Sequence, residues 1–225
     1  NIPARIEQYA ESTKAVFNLF GVDLIEERDF NCCGYPVRNV DEKSYILPSA
    51  RNLAVAEKRG IDIIVLCNCC FASLMKAKNL LENDNQLKEE LNLILAKEGL
   101  HYSGKVVVKH YLTVLYSDIG LNTITSKLVY HEKDINIGVI QGCHILRPRE
   151  ITQFDNSFVP EITDKLIRAT GAENLEWQGK LECCGAALAG INDELSHELL
   201  IDKVTGAKAA GAHFLTPICA YCYLQ

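Results

Sequence analysis

Apolar and polar positions along the chain mark out helices of 3.6-residue period and short apolar strands, and one order of elements runs twice. Ile6, Tyr9, Ala10, Val16, Phe17 and Phe20 fall near one stripe of a predicted helix over residues 4–19. Gly21 closes that helix, and residues 22–25 read as a short strand. A Cys-Cys turn follows with Gly34 and Pro36 as breakers, then a helix over 45–59 ending in Lys58-Arg59-Gly60. Residues 61–66 are apolar apart from Asp62 and rich in β-branched side chains, which predicts a strand buried on both faces. A long helix over 72–97, a strand at 106–110 and a helix over 112–119 complete this half.

After a polar connection at 123–134 the pattern restarts. A strand at 135–140 and a helix over 160–170 are expected, then a strand at 174–177, a helix over 193–209 and a strand at 213–217. Cys32 to Cys183 is 151 positions and Cys67 to Cys219 is 152, so the pattern is an internal repeat. The expected fold class is α/β: two similar Rossmann-like domains, residues 1–130 and 131–225, with parallel sheets related by a pseudo-two-fold. In such sheets, sites are built at the C-terminal ends of the strands. The second copy opens with a strand and Gly142-Cys143 that have no counterpart in the first, and the strand and helix at 106–119 have none in the second. The expectation is a chain trimmed at both ends, with a further cysteine shortly upstream of Asn1.

Composition narrows the functional classes. The 225 residues carry a net charge of −6, which argues against nucleic acid or an anionic membrane surface as partner. No apolar run approaches the roughly 18 to 20 residues that span a bilayer. The longest, at 61–70, is interrupted by Asp62 and Asn68, and residues 1–30 lack a signal-peptide pattern. A cytoplasmic protein is the simplest expectation. In a reducing compartment ten cysteines point to metal binding or redox chemistry rather than to disulfides.

Nine of those cysteines fall into two sets. One reads Cys143, Cys183-Cys184-Gly185, Cys219-x2-Cys222; the other reads Cys32-Cys33-Gly34, Cys67-x2-Cys70. Structural zinc takes four ligands, so a fifth clustered thiol is surplus for it. Iron–sulfur clusters are also held by thiolates, and an adjacent pair suits neighbouring irons of one cluster. The glycine after each pair lets the backbone approach closely. An iron–sulfur cluster is the favoured reading, with zinc, especially at the first motif, as the alternative.

Two copies of this spacing resemble the cysteine-rich CCG domain. The wider pattern is similar to the B-subunit family of the heterodisulfide reductases, through Asn31-Cys32-Cys33, Leu66-Cys67-Asn68-x-Cys70-Phe71, Gly142-Cys143-His144, Cys183-Cys184-Gly185-Ala186 and Pro217-x-Cys219-x2-Cys222. That resemblance implies two noncubane [4Fe-4S] clusters between which a mixed disulfide, that of coenzyme M and coenzyme B, is cleaved. It implies Cys143, Cys183, Cys184, Cys219 and Cys222 as ligands of one cluster, and Cys32, Cys33, Cys67 and Cys70 as ligands of the other. It implies two partners in the same complex, a ferredoxin-like iron–sulfur subunit together with a flavin-containing one. The CCG motif also occurs in subunits of glycolate and lactate oxidation and succinate dehydrogenase systems, so a pure electron-transfer role is the alternative.

Secondary candidates surround these motifs. His144 is a candidate proton donor to a departing thiolate, against a plain hydrogen bond to a carbonyl. Arg147 and Arg149 are candidates for binding the sulfonate or phosphate of the substrate, against ordinary surface charges. Tyr221 and Tyr223 are expected to pack around the cluster, and the acidic run at 82–90 to line a solvated helix face. His110 reads as a satisfied core or edge histidine, and Cys69 as a small buried apolar residue.

Overall fold

The computed structural model describes residues 5–225. In chain order the longer elements are α1 (Glu7–Leu19), α2 (Glu42–Arg59), β1 (Ile63–Val65), α3 (Asn68–Asn83), α4 (Asn85–Leu95), β2 (Val108–His110) and α5 (Leu121–Ser126). They continue with β3 (Asn136–Ile140), α6 (Ile162–Ala169), β4 (Glu173–Asn174), α7 (Asp193–Ala209), β5 (Phe214–Pro217) and α8 (Ala220–Tyr223). All described strand pairs are parallel: β1 with β2, and a three-stranded sheet in the order β4-β3-β5. The fold is therefore α/β with short parallel sheets.

The repeat is visible in backbone chemistry as well as in sequence. Asp41 caps α2 by accepting from Ser44 N, and Asn192, its equivalent 151 positions on, caps α7 by accepting from Leu195 N. Gly60 ends α2 in the left-handed conformation, and the equivalent Gly211 also has a positive φ. Gly34 and Gly185, the third residues of the two Cys-Cys-Gly turns, have φ of +84° and +86°. At Gly185 an added Cβ would stand 2.7 Å from the Ser196 carbonyl oxygen, and at Gly34 it would press on the carbonyl of the equivalent Tyr45. Glycine is required twice over at both positions, by dihedral and by space.

By compactness the chain forms two units: residues up to 62 with 77–106, and residues 63–76 with 107–225. This division differs from that of the sequence repeat, because it assigns β1, β2 and the first turns of α3 to the second unit. The first unit is helical, with Phe17, Tyr45, Ile46, Leu53, Leu81, Leu91 and Leu95 buried. Glu57 on α2 gathers the loop that leads to β2 by accepting from the backbone N–H of Ser103 at 2.6 Å, of Gly104 at 2.7 Å and of Lys105. The second unit carries both sheets, and its core includes Val139, Ile140, Ile145, Leu146 and Ile218.

Several expectations are corrected. Residues 22–25 are irregular and pair with no strand among the described residues; Val22 and Leu24 are half-buried and Ile25 is 71% exposed, so the segment lacks a ladder. The single helix expected over 72–97 is two helices, because Asp84 leaves helical geometry and caps α4 through Leu87 N at 2.9 Å. Its first half starts four residues earlier, at Asn68, so Cys69 and Cys70 lie in the first turn of α3. The helix at 112–119 is largely a π-helix, Val114–Gly120. The predicted first helix begins at Glu7, and Ala4 lies outside the described residues.

Candidate metal centre

The C-terminal end of β3 is where the cysteine-bearing turns of the second unit are tied together. Cys143 follows β3 directly, after Gln141-Gly142. Ile218 N donates to the Ile140 carbonyl at 3.2 Å, holding the turn that carries Cys219. Gln141 N donates to the Lys180 carbonyl at 3.1 Å, holding the loop that leads to Cys183. Asn68 Nδ2 donates to the Gln141 carbonyl at 3.2 Å, holding the turn that carries Cys67. Gly142 makes the last contact feasible: its φ is +75°, and a Cβ there would come within 2.7 Å of Asn68 Nδ2. One strand end thus gathers three segments distant in sequence, as the ends of parallel strands do in α/β sheets.

Seven sulfurs form one connected net there. Cys67 Sγ lies 3.8 Å from Cys219 Sγ, and Cys67, Cys69 and Cys219 are all within 4.8 Å of one another. Cys219 also meets Cys222, whose sulfur is 2.9 Å from that of Cys184. Cys184 meets Cys183, and Cys183 meets Cys143. His144 Nδ1 stands 3.1 Å from Cys143 Sγ. Cys70 is half-buried in the same first turn of α3, and Arg147 and Arg149 lie exposed at the start of a short helix, Arg149–Thr152. Of the flanking tyrosines, Tyr221 packs with Cys222 against the core around Cys184 and Trp177, whereas Tyr223 is 51% exposed; only the first of the two fits the expected packing role.

Within the net, two sulfurs are pulled down and their neighbours pushed up. Donation from Cys143, and then from Cys184, pulls the Cys183 thiol down to about 2. Cys222, Cys67 and Cys69 together hold Cys219 far below the ordinary thiol range. Their partners move the other way: Cys143 is raised by Cys183, Cys69 by Cys219 and Cys67, Cys222 by Cys184 and Cys219, and Cys184 by Cys183.

The first-motif pair lies in the first unit. Cys32 is exposed; Cys33 is buried, and its carbonyl accepts from Ser49 Oγ at 2.8 Å. The Asn52 amide pairs with both backbone groups of Asn31 at 3.0 Å, standing in for a neighbouring strand just before the pair.

Three features went unread in the sequence. Gln141 is fully buried with neither side-chain amide atom hydrogen-bonded among the described residues, and Asn68 Oδ1 is equally unpartnered. A polar residue closing an apolar strand was the available signal. Lys203 is buried midway along α7, donates to the Gly179 carbonyl and lies 5.6 Å from the Trp177 ring centroid. Burial lowers its affinity for a proton, against the pull of the Cys184 sulfur. Nothing in its helical position announced this. His110 is a core residue, as expected, but not a satisfied one: neither ring nitrogen has a hydrogen-bond partner among the described residues, and burial takes it down to about 3 against the pull of Cys219.

Crowded, buried thiols beside unpartnered amide and imidazole groups suit a soft metal or an iron–sulfur group, which accepts hydrogen bonds at sulfur. Fold and donor set define an α/β cysteine-rich protein of redox type. The comparisons agree. The cysteine-rich CCG domain family matches residues 2–75 and 137–225, and the chain belongs to it. It is 31% identical over 220 residues to a protein of Archaeoglobus profundus described as like the heterodisulfide reductase B subunit, covering 95% of this chain and 74% of that one. It is 26% identical over 229 residues to the B subunit of the ferredoxin:CoB-CoM heterodisulfide reductase of Methanosarcina mazei, covering 100% and 76%. It is 28% identical over 216 residues to the 8-methylmenaquinol:fumarate reductase membrane anchor subunit of Wolinella succinogenes, covering 96% and 75%.

A hypothetical protein from Helicobacter pylori shares the fold, with a TM-score of 0.71 at 16% identity over 97% of this chain; the match spans 39% of that longer chain. Among the described residues no helix is long and apolar enough to cross a membrane. Family and site together support a redox role in electron transfer.

Proposed function

We propose that the chain is the disulfide-reducing subunit of a heterodisulfide reductase-type complex. On this reading its two cysteine motifs hold noncubane [4Fe-4S] clusters, and the mixed disulfide of coenzyme M and coenzyme B is cleaved to two thiols. The observation that carries it is the meeting of the two repeat copies at Cys67 and Cys219, which brings thiols of both motifs to one strand end. Cys143, Cys183, Cys184, Cys219 and Cys222 hold one cluster; Cys32, Cys33, Cys67 and Cys70 are assigned to the other by their place in the repeat.

Clusters held by these cysteines would supply one-electron redox chemistry to the disulfide. The balance is two electrons and two protons for one S–S bond broken and two S–H bonds formed. The chain's own residues serve the protons and the substrate's charges. His144, whose Nδ1 is 3.1 Å from Cys143 Sγ, would deliver a proton to a departing thiolate. Arg147 and Arg149 offer guanidinium groups to sulfonate or phosphate. Buried Ile140, Trp177 and Ala186 beside Cys184 keep water from that side of the thiols. The electrons come from two partners in the complex, a ferredoxin-like iron–sulfur subunit together with a flavin-containing one.

A second reading, an electron-transfer subunit that binds no disulfide, is favoured by the similarity to the fumarate reductase subunit. A viologen-linked assay on the anaerobically reconstituted protein separates the two. Disulfide-dependent viologen oxidation supports the first reading. Clusters that viologen reduces without any disulfide turnover support the second.

A further inference from the structure

Cys69 belongs to neither cysteine motif, yet the fold places its sulfur with Cys67 and Cys219 rather than in an apolar pocket of its own. All three residues are at most 7% exposed. The start of α3 fixes two of them: Phe71 N donates to the Cys67 carbonyl at 2.9 Å, and Ser73 Oγ to the Cys69 carbonyl at 2.9 Å. Thiols in a tetrahedron around a zinc-like ion, at a metal–sulfur distance of about 2.3 Å, stand about 3.8 Å apart. The Cys67 and Cys219 sulfurs are 3.8 Å apart without adjustment.

A buried polar group lies unpartnered in the same unit. His110, at the end of β2, is fully buried, with its ring against Phe71, Tyr111 and Phe154. Neither ring nitrogen has a hydrogen-bond partner among the described residues. Three buried thiols whose sulfurs lie within 4.8 Å of one another are by themselves a donor set for a soft d10 cation.

We infer that Cys67, Cys69 and Cys219 form a site for a single soft d10 cation, such as cadmium or zinc, in the cluster-free chain. The site draws Cys67 from one motif and Cys219 from the other. Resting on the reading that those motifs hold iron–sulfur clusters, it follows that cation and clusters compete for the same sulfurs. Cys69 alone among the three serves the cation and not a cluster.

Cadmium-113 NMR of the reduced, metal-free protein tests the site, because each bound cadmium gives its own resonance and its shift reports the number of sulfur ligands. Wild type is expected to show a sulfur-rich resonance that C69A lacks and C70A retains, with circular dichroism confirming that both variants are folded. A C69A spectrum identical to wild type overturns the inference. The second arm is iron uptake on anaerobic reconstitution. Prior cadmium should suppress uptake by wild type much more than by C69A, while without cadmium the two should load equally. Reduced loading of cadmium-free C69A would make Cys69 a cluster ligand and overturn the inference as well. If neither protein takes up iron, the cluster reading fails, and the cadmium spectra still decide this one.

Discussion

Cys67 and Cys219, equivalent positions of the two repeat copies and 152 residues apart, bring their sulfurs within 3.8 Å of each other. The contact depends on the end of β3, where the Ile140 carbonyl holds the Cys219 turn and the Gln141 carbonyl holds the Cys67 turn.

Asn68 is the hinge pin of that arrangement. N68A removes the side-chain bond to the Gln141 carbonyl and leaves a buried acceptor unpaired, at a cost of about 1–3 kcal/mol. G142A, at φ +75°, should displace the same amide. Both variants should unfold at lower denaturant concentration than wild type and load less iron on reconstitution. An N68A protein with wild-type loading would show that the Cys67 turn holds itself.

The Cys-Cys-Gly turns need their glycines for the same two reasons in both copies. G34A and G185A should each destabilise by more than about 2 kcal/mol, since a left-handed residue acquires a Cβ that meets a helix carbonyl. Chemical denaturation of each variant checks this, and an equal cost at both positions is the signature of the repeat.

Lys180 is buried and donates to Asp164 at 2.6 Å and to Glu176 at 3.0 Å. Burial raises the Asp164 carboxyl even with this partner. K180M leaves a buried carboxylate without its counter-ion and should cost about 3 kcal/mol near neutral pH. The double variant D164N/K180M should recover much of that loss in a double-mutant cycle.

Glu57 gives a pH signature in the first unit. Partial burial alone would raise its carboxyl, but the N–H groups of Ser103, Lys105 and Gly104 outweigh it and hold it below the usual range. A depressed folded value stabilises the protein above the unfolded value of about 4.3. That contribution is lost as pH falls through the folded value. E57Q should therefore lower stability at neutral pH and flatten the acid limb of the stability curve, read by thermal unfolding from neutral pH downward.

Much of this was legible in the chain. The repeat, the α/β class and α7 over Asp193–Ala209 follow from apolar periodicity and end signals such as Gly60 and Gly211, which act locally. Most of what was not legible depends on partners distant in sequence. Residues 22–25 carry strand-forming side chains but have no described strand to pair with. Asp84 stops a helix by a cap that periodicity does not register. Cys69 looked surplus by spacing, because nothing along the chain places it beside Cys219. Gln141 and Lys203 carry no motif, and only their burial beside the thiol turns distinguishes them.

The central claim, that these thiols hold iron–sulfur clusters, is tested most directly by iron and acid-labile sulfide analysis of the anaerobically purified protein. Two four-iron clusters predict about eight irons with matching sulfide. Zinc in place of iron, with no labile sulfide, would contradict it.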